Sequence, residues 1–373
     1  MIVGVVGGGQ LARMMIPAAV ALGIELRVLA EGEGMSASLA ATAVGDYRDE
    51  AAVLAFAEGV DVITFDHEHV PQAVLRALVE AGHQVHPGPD ALRFAQDKRE
   101  MRARMAELGA PQPDWAPVDS ADDLAAFVAE HGGAGVLKTA TGGYDGKGVR
   151  VVRSVEEAAD WLAGAAAGGP RLLVEELVPF RRELAQLVAR RPSGETVVWP
   201  LVQTIQQDSI CAEVLAPAPD AASIQPVVDD VARSIAEGLG VTGVLAVELF
   251  ETSDGRVLIN ELAMRPHNSG HWTIDGATTS QFEQHLRAVL DLPLGATGVL
   301  APAAVMVNVI GGPASGAMAD RYAGALAAHP DVKVHSYAKS TRVGRKVGHV
   351  TAIGDDLDEV AYRARAAAAH FDA

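Results

Sequence analysis

Two glutamates in a predicted β-hairpin are the first residues in this chain that could do chemistry. The segment 244–264 has two apolar runs around an Asp254-Gly255 pair, which is typical of a tight β-turn. If these are the two turn residues, Glu248 lies directly opposite Glu261, with Cβ atoms about 5 Å apart. Their carboxylates would then repel by roughly 3 kcal/mol at an effective dielectric of ~20. Mg²⁺ would compensate, because it binds carboxylates that share it with substrate phosphates. Two solvated acids are the alternative interpretation.

A glycine-rich loop at 141–148 could hold phosphate groups. It has four glycines in eight residues, and backbone amides in such loops can cradle phosphates. The loop lacks the G-x-x-x-x-G-K-[ST] pattern of a P-loop. Lys138 lies on the preceding predicted strand and could direct a positive charge at a phosphate. An ordinary polar hairpin is the alternative.

Two further segments could bind parts of a nucleotide or another polar ligand. The segment 174–183 runs from a strand into a linker, where backbone groups could meet an adenine edge and a later acid could meet ribose hydroxyls. A plain strand end is the better interpretation of that segment alone. Arg265, His267 and Asn268 could contact an anionic or hydroxylated substrate. His267 and His271 have helical metal-ligand spacing, but the neighbouring proline and glycine argue against a helix and so against zinc.

The C-terminal part carries a basic cluster in an acidic chain. The net charge is -18, from 48 acidic and 30 basic residues, which argues against general binding to nucleic acid or to an anionic membrane surface. In that context the cluster could be a local anion site, and a solvated loop is the alternative. Its members are Lys339, Arg342, Arg345 and Lys346.

The N-terminal segment 7–12 fits the G-x-G-x-x-A pattern between a predicted strand and a predicted helix. Amides at such a helix N-terminus can hold a phosphate. Glu31 follows the second strand, where a dinucleotide-binding acid would stand. A tight turn without a ligand is an equally good interpretation.

These elements alternate in a way that predicts an α/β chain of several domains. Over 1–94, predicted strands at 2–6, 25–29, 60–65 and 82–86 alternate with helices such as the one predicted over 10–22, which favours a doubly wound, mostly parallel sheet. A small α/β lobe follows at about 114–180 and includes a predicted strand over 135–139. The single cysteine, Cys211, cannot form an internal disulfide, and this favours a reducing, cytoplasmic setting. The first residues read as a strand rather than a signal peptide, and no run of about 20 apolar residues predicts a membrane span.

Seven strings, in order along nearly the whole chain, resemble the ATP-grasp carboxylate–amine ligases, most closely the 5-(carboxyamino)imidazole ribonucleotide synthases of purine biosynthesis. The strings are GGGQLARM (7–14), TFDHEHV (64–70), QDK (96–98), TGGYDGKG (141–148), VEELVPFRREL (174–184), NELAMRPHNSGHWT (260–273) and GRKVGH (344–349). The resemblance implies a mixed α/β and α+β fold. A Rossmann-like domain over 1–94 would precede an ATP-grasp domain over 95–295, and a small β-rich domain would follow over 296–373.

The same resemblance implies a reaction and its ligands. Bicarbonate would be joined to the exocyclic amine of 5-aminoimidazole ribonucleotide at the expense of ATP, through carboxyphosphate, with ADP and phosphate released. ATP and Mg²⁺ would be required. The enzyme would be a cytoplasmic homodimer acting on small molecules, without nucleic acid or membrane.

Residue roles follow from the matching strings. Glu248 and Glu261 would hold Mg²⁺, in agreement with the hairpin register, and Asp145 is the best candidate for taking a proton from the attacking amine, with Lys339 as the second catalytic candidate. Residues implied in ATP binding are Lys98, Lys138, Gly143, Tyr144, Asp145, Gly146, Lys147, Gly148, Glu175, Glu176, Leu177, Val178, Glu183, Gln206, Asn260 and Glu261. Residues implied in binding the aminoimidazole ribonucleotide are Gln10, Glu68, Tyr144, Asp145, Lys147, Arg265, His267, Asn268, Lys339, Arg345 and Lys346.

Three other functions compete with this one. A nicotinamide-dependent oxidoreductase would use the segment 7–12 but would leave the paired glutamates, the second glycine loop and the basic cluster without roles. A sister ATP-grasp enzyme, such as a formate-dependent glycinamide ribonucleotide transformylase or a biotin carboxylase, is disfavoured by the GYDGKG and HNSGHWT strings. An inactive nucleotide-binding protein is disfavoured because both glutamates and Lys138 are present. Met264, Val343 and Gln206 depart from the family pattern.

Overall fold

Three β-sheets organise residues 1–143 and 147–371, which are the residues that the computed structural model describes. The predicted site residues Tyr144, Asp145 and Gly146 lie outside them. Among the described helices, none combines the length and apolar character needed to cross a membrane.

The N-terminal sheet is parallel throughout, as predicted, with strand order β3-β2-β1-β4. Strand β4 also forms a single parallel bridge to Val85, where a fuller strand was predicted over 82–86. The elements of this part are β1 (Ile2–Val6), α1 (Gln10–Leu22), β2 (Glu25–Ala30), β3 (Ala41–Val44), α2 (Glu50–Ala57), β4 (Val62–Phe65), α3 (Gln72–Glu80), α4 (Pro89–Gln96) and α5 (Lys98–Glu107).

The small lobe is an antiparallel sheet with order β5-β8-β6-β7. Its helix α6 begins with a capping box between Ser120 and Asp123, as that spacing predicts. The elements are β5 (Trp115–Val118), α6 (Ala121–Glu130), β6 (Gly135–Thr139), β7 (Val149–Val152), α7 (Ala159–Ala166) and β8 (Leu172–Glu175).

The large sheet runs in the order β14-β13-β9-β11-β12-β15-β17-β16, with β10 paired to β9. Strands from the C-terminal part therefore extend the sheet that carries the acidic hairpin. The elements are β9 (Phe180–Arg190), β10 (Thr196–Val198), β11 (Val202–Gln207), β12 (Ile210–Ala216), α8 (Gln225–Gly238), β13 (Gly243–Thr252), β14 (Val257–Ala263), α9 (Thr273–Gly276), α10 (Gln281–Val289), β15 (Ala303–Ile310), α11 (Tyr322–Ala328), β16 (Lys333–Ser336), β17 (Lys346–Gly354) and α12 (Leu357–Ala369).

The acidic hairpin has the predicted pairing but a different turn. Glu248 pairs with Glu261, whereas nearer the turn Leu249 pairs with Ile259. The prediction of a two-residue turn was wrong, because the amide of Thr252 bonds to the carbonyl of Arg256 and leaves three residues in the loop. A β-bulge at position 260 adds one residue to β14 and restores the alignment of the two glutamates.

Shared apolar cores fix the N-terminal part against the others. Phe65 of β4 belongs to the same buried cluster as Leu184 of β9 and Leu245 of β13. Met15 of α1 packs in a second cluster with Phe282 of α10. Side chains at the facing edges of these parts are therefore held at fixed separations, as close packing requires.

Buried neutral histidines predict acid sensitivity. Burial lowers the pKa of His285 from 6.5 to about 3, and it lowers the pKa of His271 and His349 well below 6.5. The unfolded chain binds protons at these groups below pH ~6.5 and the folded chain does not, so their stabilising contribution is complete above that pH. We expect the free energy of unfolding to fall as pH decreases from ~6.5, by up to ~1.4 kcal/mol per pH unit and per histidine.

Urea unfolding at pH 7.5, 6.0 and 5.0 measures this loss. Carboxylates with lowered pKa, such as Glu175, lose their contribution only as pH falls below their unfolded value near ~4.5. The chosen window therefore avoids these carboxylates. Burial raises the pKa of Asp66 and Glu183, which acts in the opposite direction, and we expect the three histidines to outweigh them. Equal free energies of unfolding at pH 7.5 and 5.0 would contradict the prediction.

Candidate active site

Lys138 and Glu175 form an ion pair inside the small lobe. The ammonium of Lys138 lies 2.8 Å from Oε2 of Glu175, and the side chains are 8% and 3% exposed. Burial alone would raise the pKa of Glu175, but the charges and hydrogen bonds of Lys138 and Arg102 lower it to about 2. Burial lowers the pKa of Lys138, although Glu175 counteracts it. Lys138 also donates to Oδ1 of Asn260 at 3.4 Å, so the small lobe meets the acidic hairpin at this cation.

Arg102 completes this cluster and was missed from the sequence. It is fully buried on α5 and donates two hydrogen bonds to Glu175, at 2.8 and 3.0 Å. In the sequence it is one of several charges on a charged helix. A signal was present, because Arg102 lies next to Met101 and three residues before Met105, on the apolar face.

Each of the paired acids of the hairpin contacts a basic side chain. Nε2 of His267 lies 3.0 Å from Glu248, and the ammonium of Lys98 lies 3.0 Å from Glu261. The two carboxylates remain 28% and 40% exposed. Within the described ranges, no group of three or more His, Cys, Asp or Glu side chains could hold a metal. Two accessible carboxylates nevertheless fit Mg²⁺ that takes its other oxygen atoms from water and a bound polyphosphate.

A third acid, Glu183, lies on the same face of the large sheet. Its neighbour Ala185 pairs with Glu248, and residues two apart on a strand share a face. Burial and the charge of Glu248 raise the pKa of Glu183, while a hydrogen bond with Gln206 lowers it. Glu183 and Gln206, predicted separately to meet ATP, are therefore adjacent.

The predicted adenine hinge lies between β8 and β9. The amide of Glu176 bonds to the carbonyl of Asp114 at 2.8 Å. Val178 is buried and Leu177 is exposed. Because the carboxylate of Glu175 is held by Lys138 and Arg102, a contact of Glu175 with adenine would have to come from its backbone.

A second cluster joins the N-terminal part to the segment after β14. Nε of Arg265 donates to Oε2 of Glu68 at 2.6 Å. Burial would raise the pKa of Glu68, but the charge and hydrogen bond of Arg265 lower it. Burial would likewise raise the pKa of Glu248, which the hydrogen bond and charge of His267, and the charges of Lys346 and Arg265, lower. Lys346 from the C-terminal part therefore reaches the same region.

Lys339 links the last part of the chain to the first helix. Its ammonium donates to Oε1 of Gln10 at 2.6 Å, across 329 positions in the sequence. Arg345, by contrast, bonds to Ser340 within its own loop. Of these two neighbouring residues, Lys346 is the one whose charge acts on Glu248.

The side chain of Asn268 is bonded to another part of the protein. It is buried, and its amide exchanges hydrogen bonds with that of Asn308 at 2.7 and 3.1 Å. Its side chain thus fixes the 3₁₀ turn Asn268–Gly270 to β15. Of the departures from the family pattern, Met264 is buried in the core and Val343 is 97% exposed.

The N-terminal glycine turn is occupied by the protein's own carboxylates. Glu31 accepts from the amide of Gly8 at 2.9 Å, and Asp66 accepts from the amide of Ala12 at 2.7 Å. A Cβ on Gly9 would clash with Oδ2 of Asp66. A dinucleotide pyrophosphate would have to displace two carboxylates here, so the nicotinamide-dependent alternative is not favoured.

The described ends of the glycine-rich loop come close together. The amide of Thr139 bonds to the carbonyl of Gly148 at 3.0 Å, and a Cβ on Gly143 would stand 2.7 Å from the carbonyl oxygen of Lys147. Tyr144, Asp145 and Gly146 between them lie outside the described residues.

This arrangement defines the ATP-grasp class of ligases. A parallel N-terminal domain precedes a small antiparallel lobe, and the lysine of that lobe meets an acidic pair on a large sheet. Family models match accordingly: the ribonucleotide synthetase preATP-grasp domain over residues 1–96, the ATP-grasp domain over 103–282, and the phosphoribosylaminoimidazole carboxylase C-terminal domain over 304–363.

Similarity to individual relatives identifies the family within this class. The chain is 50% identical over 372 residues to N5-carboxyaminoimidazole ribonucleotide synthase of Mycobacterium tuberculosis (strain ATCC 25618 / H37Rv), covering 98% of this chain and 87% of the relative. It is 38% identical to the crystal structure of N5-carboxyaminoimidazole ribonucleotide synthetase from Thermus thermophilus, with a TM-score of 0.88 and coverage of 100% and 98%. It is 30% identical to N5-carboxyaminoimidazole synthase from Aspergillus clavatus in complex with ADP and 5-aminoimidazole ribonucleotide, with a TM-score of 0.88 and coverage of 99% and 98%.

The chain belongs to the N5-carboxyaminoimidazole ribonucleotide synthase family, the same enzymes that the sequence strings resemble. The predicted fold class and the prediction of an ATP-dependent ligase are confirmed.

Proposed function

We propose that this protein carboxylates the exocyclic amine of 5-aminoimidazole ribonucleotide with bicarbonate, consuming ATP and releasing ADP and phosphate. The observation that carries the proposal is the meeting of two clusters at the Glu248–Glu261 pair. On one side stand Lys98, Lys138 and Asn260. On the other side stands the group around Arg265. A polyphosphate and a second phosphorylated substrate can thus be bound side by side.

In this proposal the nucleotide occupies the space between the small lobe and the acidic hairpin. Lys98 and Lys138 bind ATP phosphates, and the loop 143–148 covers them. Backbone groups of 175–178 meet adenine, and Glu183 with Gln206 meets the ribose. Charge-assisted hydrogen bonds from lysine to phosphate contribute about 1.5–3 kcal/mol each.

Glu248 and Glu261, with Asn260 beside them, would hold Mg²⁺. When bound, this ion neutralises charge that develops on the transferred phosphoryl group. Lys98 and His267 now contact the two carboxylates. With Mg²⁺ bound, both side chains could turn toward substrate anions instead.

The second substrate would lie against the residues that the N-terminal, central and C-terminal parts bring together. Glu68 and Arg265 hold each other in place and present hydrogen-bonding groups to a ribonucleotide. Gln10, His267, Lys339 and Lys346 supply further polar and cationic contacts, and Lys147 of the glycine-rich loop and Arg345 are proposed to contribute to the same pocket. Asn268 would stabilise this part of the pocket indirectly, through its hydrogen bonds with Asn308.

The chemistry proposed runs in two steps. An oxygen of bicarbonate attacks the γ-phosphorus of ATP, and ADP leaves as carboxyphosphate forms. Loss of phosphate gives carbon dioxide beside the amine, whose nitrogen forms the new C–N bond and gives up one proton. We propose Asp145 as the acceptor of that proton, and Lys339 as a cation that stabilises the phosphorylated substrate. We further propose that the enzyme acts in the cytoplasm as a homodimer.

An ADP-release assay tests the function. We expect ADP formation with Mg²⁺-ATP and bicarbonate to rise strongly when 5-aminoimidazole ribonucleotide is added, and thermal unfolding to shift with Mg²⁺-ATP but not with NAD. Stimulation by glycinamide ribonucleotide and formate instead would assign the chain to the transformylase alternative. Protection by NAD alone would favour an oxidoreductase.

A further inference from the structure

The charge balance around Lys138 depends on Arg102. Lys138 and Glu175 alone would form a neutral pair in which the carboxylate holds the ammonium at 2.8 Å. Arg102 adds a second cation on the same carboxylate, with hydrogen bonds at 2.8 and 3.0 Å. The three groups together carry a net charge of about +1, and that charge can be directed at a phosphate because Glu175 is already neutralised by a bidentate partner.

Arg102 also holds the β-bulge that aligns the two hairpin glutamates. Its Nη1 donates to the carbonyl of Ile259 at 2.7 Å, and its Nη2 donates to the carbonyl of Asn260 at 2.8 Å. The register changes at this point, so that Glu261 rather than Asn260 stands opposite Glu248. Buried carbonyls at a bulge need partners from outside the ladder, and the guanidinium supplies them.

We propose that Arg102 is the positioning residue of the nucleotide site: it neutralises Glu175, so that the positive charge of Lys138 is left uncompensated and available to a phosphate, and it fixes the bulge that places Glu261 opposite Glu248. This inference rests on the nucleotide site proposed above. A single guanidinium thus couples the phosphate-binding lysine of the small lobe to the acidic pair of the large sheet.

Binding of a non-hydrolysable ATP analogue, measured by calorimetry, tests the charge effect. Arg102→Met leaves Lys138 and Glu175 as a neutral pair, and we expect affinity to fall ~10- to 100-fold, as for the loss of one charge-assisted hydrogen bond. The double variant Arg102→Met with Glu175→Gln restores the net charge of the native cluster. We expect its affinity to return to within ~3-fold of the native protein, which is a coupling between the two sites.

The outcomes separate this role from a merely structural one. A double variant that binds no better than Arg102→Met, or that fails to fold by circular dichroism, would overturn the proposal. If only the single variant fails to fold, the double variant still decides, because it is compared directly with the native protein and with Glu175→Gln.

The variant Arg102→Lys tests whether Arg102 fixes the bulge. Arg102→Lys keeps the charge but cannot bond Glu175 and both carbonyls together. We expect nearly native affinity for the analogue and a fall in kcat of ~10-fold or more, since misplacing a catalytic group by about 1 Å has effects of this size. Unchanged kcat would remove the bulge from the proposal.

Two controls keep failures distinguishable. Arg104→Met removes a guanidinium from the same helix that bonds Glu107 and the carbonyl of Gly238, and we expect native binding and kcat. Lys138→Met tests the site itself. If Lys138→Met leaves affinity for the analogue unchanged, the proposed nucleotide site is wrong, and so is the proposed role of Arg102. If Lys138→Met abolishes affinity while Arg102→Met has no effect, only the proposed role of Arg102 is wrong.

Discussion

Replacing Glu261 with Gln is expected to lower ATP turnover by at least ~100-fold. Glu261 and Glu248 are the proposed anionic ligands of Mg²⁺, and the amide of Gln has the same shape without the charge. A metal ion at a transferring phosphoryl group contributes several kcal/mol of transition-state stabilisation, and each ~1.4 kcal/mol corresponds to a tenfold change in rate.

The fold should survive this change. The sequence predicted repulsion between two glutamates without other partners. In the structure each has a partner, because Lys98 contacts Glu261 and His267 contacts Glu248. We therefore expect no gain in stability in metal-free protein, contrary to the simple hairpin argument. A partly exposed ion pair of this kind contributes about 0–1 kcal/mol, so the thermal unfolding midpoint should change little.

Steady-state ADP release over a range of Mg²⁺ concentrations is the measurement. Glu283→Gln is a matched control, because Glu283 is 32% exposed and pairs with Arg287 at 3.2 Å on α10, outside the proposed site. We expect the control to keep native activity. Native turnover in Glu261→Gln, or turnover by the native protein without divalent cations, would remove the metal site from the proposal.

Replacing Asp145 with Asn is expected to slow product formation by ~100- to 10,000-fold, the usual range for loss of a positioned general base. Asp145 lies outside the described residues, and its candidacy comes from its place in the GYDGKG string. Asn keeps the size and hydrogen-bonding capacity of the side chain but loses its basicity. ATP affinity should be largely kept, since Lys98, Lys138 and both hairpin glutamates are unchanged.

Two quantities from the same variant decide the role of Asp145: the dissociation constant for ATP and the rate of carboxylated product formation. A loss of affinity in proportion to the loss of rate would make Asp145 a structural residue of the glycine-rich loop and not the base. Full retention of rate would end its candidacy, and Glu68 would be tested next. Asp122→Asn on the exposed face of α6 is a control in the same lobe, with native rate and affinity expected.

Local patterns in the sequence were sufficient for most elements of the fold. The helix Gln10–Leu22 and the strand Gly135–Thr139 have the predicted bounds, because apolar periodicity and glycine or proline boundaries act within a few residues. The pairing of Glu248 with Glu261 followed from the same short-range logic. It held although the turn has one more residue than predicted, since the bulge at Asn260 offsets that residue.

Recognition of the family rested on strings and not on isolated residues. The acidic pair alone was compatible with solvated acids, and the turn at 7–12 alone was compatible with a dinucleotide site. The ordered strings over nearly the whole chain favoured the ATP-grasp ligases over those interpretations. They assigned Lys98, Lys138 and Glu68 to a site without indicating which of them touch.

The tertiary structure alone decided which groups partner which. Arg102 with Glu175, Lys339 with Gln10, and Asp66 at the start of α1 join residues 73, 329 and 54 positions apart. By itself the sequence determined the elements, the acidic pair and the class of enzyme, because these follow from short-range hydrogen bonding, periodicity and motif order. It did not determine the partner of each buried charge. Periodicity specifies which face of an element is buried, whereas the group that meets that face comes from long-range packing of elements distant in the chain.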